Sequence, residues 1–153
     1  FMATFARQLG ATAKREAVVA EEGMELRPDV IMIAPGDSHL TVALSGNTPV
    51  VHLVQGPARS GCLPSVDPMF ASVGSVFGEG ALGIVLTGMG RDGTEGANNL
   101  VAAGGSVLAQ DEASSAVWGM PRAVLEAGLA SAVLPPEKIA RRITSRLEAA
   151  QCR

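Results

Sequence analysis

Aromatic and basic residues are both scarce in this chain, and their scarcity excludes a large class of partners. Phe and Trp together make up 3% of the 153 residues, Tyr is absent, and the formal net charge is −3. A nucleic-acid-binding protein needs a basic surface to meet phosphates, and a single-strand binder also needs aromatic rings on which bases stack. We therefore expect no nucleic-acid partner.

Cysteine is also scarce, and long apolar runs are lacking. Cys62 and Cys152 are too few for a disulfide framework, and neither has a second residue at metal-ligand spacing. We expect no metal, no cofactor and a reducing, cytoplasmic location. No apolar stretch approaches the length of a membrane span and the first residues do not form a signal peptide, so we expect no membrane insertion. Because the chain starts with Phe1 rather than Met, we expect it to begin within a longer protein.

Apolar residues are abundant, at 47%, and their arrangement predicts alternating strands and helices. Two apolar runs flank Ser45-Gly46-Asn47-Thr48, which predicts an antiparallel hairpin. We expect a single domain over residues 1–153 with an α/β fold: a doubly wound, mostly parallel sheet flanked by helices, with the hairpin as an insertion. The predicted strands cover residues 16–20, 30–34, 39–44, 50–54, 82–86, 106–110 and 129–134.

The predicted helices begin and end at residues that commonly cap helices. The first covers residues 2–10, with Gly10 as its C-cap. Another begins after Asp67 as its N-cap, with Pro68 at the first helical position. Further helices are predicted from Asp92 to residues 104–105, over residues 120–128, and from residue 135 onwards.

We expect function around the stretch from Leu82 to Gly96. An apolar strand runs into a glycine-rich turn, and a helix begins at Asp92 with Glu95 three residues further on, as in a capping box. In open α/β sheets, sites form beyond the carboxyl ends of the strands, which is where this turn lies.

Three interpretations of the turn are compatible with its residues. Gly88, Gly90 and Gly93 form G-x-G-x-x-G between a strand and a helix, with Asp111 after the next strand, which is the pattern of a dinucleotide-binding domain. Against this, Asp92 places a carboxylate where the phosphates would lie. In the second interpretation Asp92 is a catalytic carboxylate that orients a histidine through its ring N–H. In the third it only caps its helix, a role that can coexist with catalysis.

Four motifs that occur together in one order carry a resemblance to a known family. They are Ile33-Ala-Pro-Gly-Asp-Ser-His39, Pro64-Ser-Val-Asp67, Thr87-Gly-Met-Gly-Arg-Asp-Gly93 and Gln110-Asp-Glu-Ala-Ser-Ser-Ala-Val-Trp-Gly-Met-Pro121. Over essentially the whole chain, the sequence resembles the catalytic domain of the chemotaxis protein-glutamate methylesterases, the CheB family. The resemblance implies hydrolysis of γ-glutamyl methyl esters on chemoreceptors, often with deamidation of receptor glutamines, by a Ser-His-Asp triad on a doubly wound α/β sheet.

The resemblance also implies roles for individual residues. Asp92 matches the aspartate of the triad. The turn that contains Met89 and Gly90 is expected to form the oxyanion hole, with the backbone N–H of Met89 as a donor. Four more residues are expected in or beside the receptor-facing groove: Met120, Pro121, Gln110 and His39.

Two departures from the family pattern affect these expectations. The serine and histidine of the family's triad belong to segments that precede the point where this chain begins, so Asp92 is the only triad member expected here. His39 matches a position outside the triad, and His52 is expected to be a packed or surface residue. The family often has His-Arg before Pro-Ser-Val-Asp, but this chain has Cys62-Leu63, which removes positive charge near the site.

The partners implied by the resemblance are the methylated cytoplasmic domains of chemoreceptors, and family members commonly carry a receiver domain upstream. Two alternatives to an esterase remain open: a relative that binds receptors without catalysis and, less favoured, a dinucleotide-binding domain. A parallel sheet without its nucleophile strand has unpaired backbone groups and uncovered apolar faces. We therefore expect the 153 residues alone to be poorly soluble or oligomeric.

Overall fold

The computed structural model describes residues 1–152, which form five α-helices, seven strands and one turn of 3₁₀-helix at Gly78–Gly80. Each of the seven predicted strands corresponds to an observed strand. In chain order the elements are α1 (Met2–Ala13), β1 (Ala17–Val19), β2 (Ile31–Ile33), β3 (His39–Ser45), β4 (Thr48–Val54), α2 (Val66–Phe77), β5 (Leu82–Val85), α3 (Thr94–Ala102), β6 (Ser106–Gln110), α4 (Met120–Glu126), β7 (Ala132–Leu134) and α5 (Pro136–Gln151).

The strands form parallel sheets and one antiparallel pair, which confirms the predicted α/β fold class. Strands β5, β6 and β7 are parallel in that order, and β1 pairs in parallel with β2. The two parallel sheets share no strand pairing within residues 1–152. Strands β3 and β4 form the predicted hairpin, with Ser45 opposite Thr48. Gly46 turns the chain there with φ of 62°, a conformation that suits glycine.

The larger hydrophobic core lies between the β5–β6–β7 sheet and helices α2, α3 and α4. Leu100, Val107 and Val124 are completely inaccessible to solvent at its centre. Burial of side chains of this size contributes roughly 1.5–3 kcal/mol each to folding. A smaller core around Leu40 and Val51 packs the hairpin against the first part of the chain. The sheet and helices that hold the central turn are thus anchored in the larger core.

Helices α2 and α3 approach each other closely because two glycines lie in their interface. A Cβ on Gly96 would lie 2.5 Å from the carbonyl oxygen of Asp67, and one on Gly74 would lie 2.8 Å from the Cα of Leu100. Real Cβ atoms do not approach other atoms so closely, so any side chain at either position would force the helices apart. This close approach brings the first turns of α2 and α3 together.

Two predicted helix ends are wrong. Helix α1 does not end at Gly10 but continues to Ala13, and Lys14 follows in the left-handed conformation with φ of 52°. Gly10 serves close packing instead, because a Cβ there would lie 3.2 Å from the Cβ of Ala17. Helix α2 begins at Val66 rather than Pro68, and its N-cap is Ser65, whose hydroxyl accepts the backbone N–H of Asp67. The side chain of Asp67 has another partner, described below.

Within the described chain, no helix combines the length and the apolar character that crossing a bilayer requires. The thiols of Cys62 and Cys152 are both free and exposed.

The glycine at the α2–α3 interface provides a test of this packing. We expect Gly96→Ala to lower the free energy of unfolding by roughly 1–3 kcal/mol, because the overpacking cost exceeds the gain in helix propensity. Gly36→Ala is the matched control, since Gly36 has no atom within 4 Å of the added Cβ. Urea unfolding of both variants measures the difference. Equal stability of Gly96→Ala and wild type would contradict the close approach of α2 and α3.

Candidate active site

The glycine-rich turn after β5 is held down by the segment before α4. The N–H of Gly88 donates to the carbonyl of Val117 at 3.0 Å, and the carbonyl of Gly88 accepts the N–H groups of Gly119 at 3.1 Å and Met120 at 2.9 Å. The hydroxyl of Thr87 donates to the carbonyl of Val117 and accepts its N–H. The turn is therefore fixed on two sides of Gly88, at the carboxyl end of a strand.

Gln110 joins the same two segments from inside the protein. It is buried, its Oε1 accepts the N–H of Thr87 at 2.7 Å, and its Nε2 donates to the carbonyl of Ser114 at 2.9 Å. The indole N–H of Trp118 donates to the backbone carbonyl of Gln110. Gln110 thus lies beneath the site, where it supports the turn, and not on an open surface.

Met89 and Gly90 lie at the tip of the turn. The side chain of Met89 is 84% exposed, and Gly90 has φ of 90°, which an L-residue rarely adopts. Within residues 1–152, the N–H groups of Met89 and Gly90 donate none of the backbone hydrogen bonds that hold the turn. They are therefore available to a ligand.

Met120 and Pro121 support the turn from below. A Cβ on Gly88 would lie 2.7 Å from the Sδ of Met120, so Met120 packs directly against the turn and is half-buried. Pro121 is completely buried, so its side chain lies behind the turn and does not line an open groove.

Asp92 is the buried carboxylate of the site. It is 6% exposed, and both of its oxygens accept hydrogen bonds from the start of α2. Its Oδ1 accepts the hydroxyl of Ser65 at 2.6 Å, and its Oδ2 accepts the N–H of Val66 at 2.8 Å. The expectation that Asp92 caps its own helix is wrong, because Gly93 occupies the N-cap position of α3 and no side chain caps it there. Glu95, the expected capping-box partner, pairs with Arg59 on the surface.

Asp67 makes the reciprocal contact. Its Oδ1 accepts the N–H of Gly96, in the first turn of α3, at 2.8 Å. Each acidic residue therefore satisfies N–H or O–H donors at the start of the other helix, where unpaired donors and the helix dipole favour a negative charge. This exchange joins α2 and α3 at their N-termini and places Asp92 at the carboxyl end of β5.

The two carboxyl groups are shifted in opposite directions. Burial acts to raise the pKa of Asp92, but hydrogen bonds to its charged form, from Ser65 and Val66 first and then from Ser60 and Asp67, together outweigh burial, so the pKa lies below the ordinary value. Burial also acts to raise the pKa of Asp67. Together with the negative charge of Asp92, it outweighs the hydrogen bond from Gly96, so this pKa lies above the ordinary value. Of the two, Asp92 is therefore the stronger acid and the one that keeps its charge to lower pH.

Both histidines already have partners. His39 is buried, its Nε2 lies 2.8 Å from the carbonyl of Gly56, and its Nδ1 lies 3.0 Å from the backbone N–H of Ser65. His52 lies on the hairpin surface, where its Nδ1 is 2.9 Å from Glu22, in agreement with the expected surface position. Neither ring directly contacts Asp92.

The geometry argues against the dinucleotide interpretation. A bound pyrophosphate would need the free N–H groups at the start of α3. The N–H of Gly96 already donates to Asp67, and that of Thr94 donates to the carbonyl of Arg91. The carboxylate of Asp111 bonds to Ser114 within its own loop. No group of three or more potential metal ligands occurs within residues 1–152.

The site therefore combines a buried ionised carboxylate with an exposed turn of free N–H groups. A carboxylate offers about four acceptor positions, so Asp92 can accept a further hydrogen bond besides those from the Ser65 hydroxyl and the Val66 N–H. Sequence reasoning missed Ser65, which binds Asp92, caps α2 and contacts His39. The sequence does indicate Ser65 as an N-cap, since serine is among the best N-cap residues, but Asp67 is an equally good candidate for the N-cap of α2.

Comparison with known proteins finds similar sequences over nearly the whole chain. The model of the CheB methylesterase family matches residues 1–143. A protein-glutamate methylesterase/protein-glutamine glutaminase of Caulobacter vibrioides is 50% identical over 147 residues, which are 95% of this chain and 42% of that protein. One from Rhodopseudomonas palustris is 49% identical over 139 residues, 91% of this chain and 36% of that protein. The chain thus spans less than half the length of these curated relatives.

A solved structure resembles the fold as a whole. The crystal structure of the Thermotoga maritima CheB methylesterase catalytic domain aligns with a TM-score of 0.89 and 34% sequence identity. The alignment covers 93% of this chain and 75% of that chain.

The opposite pKa shifts of the two aspartates predict opposite responses to neutralisation. Folding lowers the pKa of Asp92, so its carboxylate adds stability above the ordinary aspartate pKa, and this contribution is lost as pH falls through the lowered value. Near neutral pH we expect Asp92→Asn to cost about 1–3 kcal/mol, because the amide leaves one of its two donors unpaired. The two proteins should converge in strong acid, as pH falls through the lowered pKa and wild-type Asp92 becomes protonated as well.

Asp67→Asn is the matched control. Its amide oxygen still accepts the N–H of Gly96, while the charge that faces Asp92 is removed, so we expect no loss of stability near neutral pH. Urea unfolding curves near neutral pH and in strong acid measure these differences. A larger loss for Asp67→Asn than for Asp92→Asn would contradict the assignment.

Proposed function

The chain belongs to the CheB methylesterase family, and from this premise we propose that residues 1–153 belong to the methylesterase-like catalytic domain of a protein-glutamate methylesterase. In this proposal it hydrolyses γ-glutamyl methyl esters on the cytoplasmic domains of chemoreceptors and deamidates glutamines at the same site. The reaction needs neither metal nor cofactor. The observation that carries the proposal is the Asp92 carboxylate, buried and ionised beside an exposed turn of free N–H groups.

Asp92 acts in this proposal as the carboxylate of a Ser-His-Asp triad. It accepts the ring N–H of a histidine, which fixes the tautomer that can take a proton and stabilises the imidazolium once it forms. The serine hydroxyl adds to the ester carbonyl while the histidine takes its proton. The tetrahedral intermediate then expels methoxide, which leaves as methanol with that proton. Water next cleaves the acyl-enzyme and leaves a glutamate side chain, and ammonia replaces methanol when glutamine is the substrate.

The turn at Met89 and Gly90 supplies the oxyanion hole. Met89 is exposed at the tip and its N–H donates none of the backbone hydrogen bonds that hold the turn. Removal of one oxyanion donor typically costs about 10²–10³ in kcat. The positive φ of Gly90 holds the tip in this conformation. Gln110 and Met120 keep the turn in place, so the donor is positioned before the substrate arrives.

We infer that the serine and the histidine of the triad come from outside these residues. His39 uses both ring nitrogens within the fold, and His52 is held by Glu22 on the hairpin. If the histidine of the triad comes from another part of the protein, His39 and His52 can keep the contacts that they make in the structure. A receiver domain elsewhere in the protein is part of the same proposal, as a regulator of access to the site.

The experiment that tests this function is release of methanol from methylated receptor by the full-length gene product. We expect Asp92→Asn to reduce kcat by about 10²–10⁴, because the histidine loses its orienting carboxylate. Asp29→Asn is the control, since Asp29 is an exposed aspartate paired with Arg15 on the surface. No methanol release by the wild-type protein would contradict the esterase. Receptor binding without turnover, unchanged by Asp92→Asn, would favour the non-catalytic relative.

The oxyanion turn gives a second prediction. We expect Gly90→Ala to reduce kcat by about 10²–10³, because an alanine at φ of 90° is strained and moves the Met89 N–H. Met89→Ala is the control, because only the backbone of Met89 is proposed to act and its side chain is 84% exposed. Steady-state methanol release measures both variants. Loss of activity in Met89→Ala with a fully active Gly90→Ala would contradict the assignment.

A further inference from the structure

His39 does not contact Asp92 itself, but it contacts Ser65, which binds Asp92. Its ring bonds to the backbone N–H of Ser65, and Ser65 and Val66 together provide the two hydrogen bonds to the Asp92 carboxylate. All three contacts converge on the first turn of α2. His39, Ser65 and Asp92 are each less than one-tenth exposed, so water does not readily replace a partner that is lost.

The bonds of His39 define its tautomer. A backbone N–H can only donate, so Nδ1, which faces Ser65, must be the unprotonated acceptor. The carbonyl of Gly56 can only accept, so Nε2 carries the proton and donates to it. The neutral imidazole with its proton on Nε2 satisfies both neighbours, and it has no nitrogen left for catalysis.

The hydroxyl of Ser65 is used to its full capacity. It accepts the N–H of Asp67 at 3.2 Å and the hydroxyl of Ser60 at 3.2 Å, and it donates to Asp92 at 2.6 Å. One donor and two acceptors are all that a hydroxyl offers. The charged carboxylate at 2.6 Å is a stronger and closer acceptor than the Ser60 hydroxyl at 3.2 Å, so the Ser65 proton points at Asp92 while the backbone of Ser65 stays where His39 holds it.

We propose that His39 is a positioning residue, which acts through Ser65 to hold the Asp92 carboxylate in the orientation that accepts the imidazole of the catalytic histidine. This inference rests on the proposed function for the role of Asp92. Without an acceptor for its N–H, Ser65 shifts to find one, and the shift carries its hydroxyl and the neighbouring N–H of Val66 away from Asp92. The carboxylate then loses the bonds that favour its charged form and fix its direction.

Two amide substitutions of His39 separate the two ring nitrogens. The side chain of His39→Asn places its oxygen near the position of Nδ1 and retains the acceptor for Ser65, but it loses the donor to Gly56. His39→Gln places its amide nitrogen near Nε2 and retains the donor to Gly56, but it leaves Ser65 without an acceptor. Both remove the ring, so the comparison between them isolates the contact with Ser65.

In the full-length gene product we expect His39→Gln to lower kcat for methanol release roughly ten- to a hundred-fold, as is usual for partners one shell behind a functional group. KM should stay within about threefold, because the substrate contacts are intact. His39→Asn should recover most of kcat. Ser65→Ala should behave like His39→Gln, while Ser65→Thr, which restores a hydroxyl, should recover activity. The serine pair carries the test if His39→Gln fails to fold.

A spectroscopic readout separates this inference from the proposed function. In full-length protein labelled with ¹³C at aspartate Cγ, the Asp92 signal is identified by its loss in Asp92→Asn. We expect the pKa of Asp92 to rise in His39→Gln and Ser65→Ala and to stay near the wild-type value in His39→Asn and Ser65→Thr. Equal kcat and equal Asp92 titration in the two variants of His39 would overturn the inference. If the titrations shift as expected but Asp92→Asn retains full activity, the proposed function fails and the positioning contact stands.

Discussion

The structure depends on two reciprocal carboxylate contacts between the N-termini of α2 and α3. Asp92, just before α3, accepts the donors of Ser65 and Val66, and Asp67, in α2, accepts the N–H of Gly96. A helix start leaves up to four N–H groups without partners, and buried donors of this kind are costly unless they are satisfied. Each helix therefore needs the other to complete its first turn. The Asp92 carboxylate is held in place by the same bonds that hold the two helices together.

These contacts require two backbones to approach more closely than side chains normally allow. Gly96 and Gly74 provide this approach, since a Cβ on either would collide with the facing helix. Glycines also allow close packing at the turn before α3. Gly88 leaves room for Met120, and Gly119 lies against the backbone of the turn. Glycines at these positions therefore determine where the carboxylate and the N–H donors lie relative to each other, although none of them takes part in the chemistry.

The sequence predicted the elements well because strands, turns and helices leave local patterns. The order of strands and helices, the hairpin and the strand–turn–helix around Asp92 are all present. Both capping assignments at the site, those of Asp67 and Asp92, were wrong because capping rules look three residues along the chain. The actual partners are 27 residues apart for Ser65 and Asp92, and 29 for Asp67 and Gly96. Only tertiary packing brings them together, and the role of Ser65 therefore became visible only in the structure.

The pKa values of the two acidic residues are shifted in opposite directions, although both carboxyl groups lie in the same region. Two carboxylates close together do not both ionise as readily as an isolated one, and their environments decide which keeps its charge. Burial opposes the charge of both residues, but Asp92 receives enough hydrogen bonds, those of Ser65 and Val66 first among them, for its pKa to fall. For Asp67, burial and the charge of Asp92 outweigh the hydrogen bond from Gly96, so its pKa rises. A histidine titrates near neutral pH, well above the lowered pKa of Asp92, so Asp92 would be an ionised acceptor for the histidine of the proposed triad. The hydrogen bonds at the two helix starts thus favour the charged form of Asp92 over that of Asp67, as the proposed role of Asp92 requires.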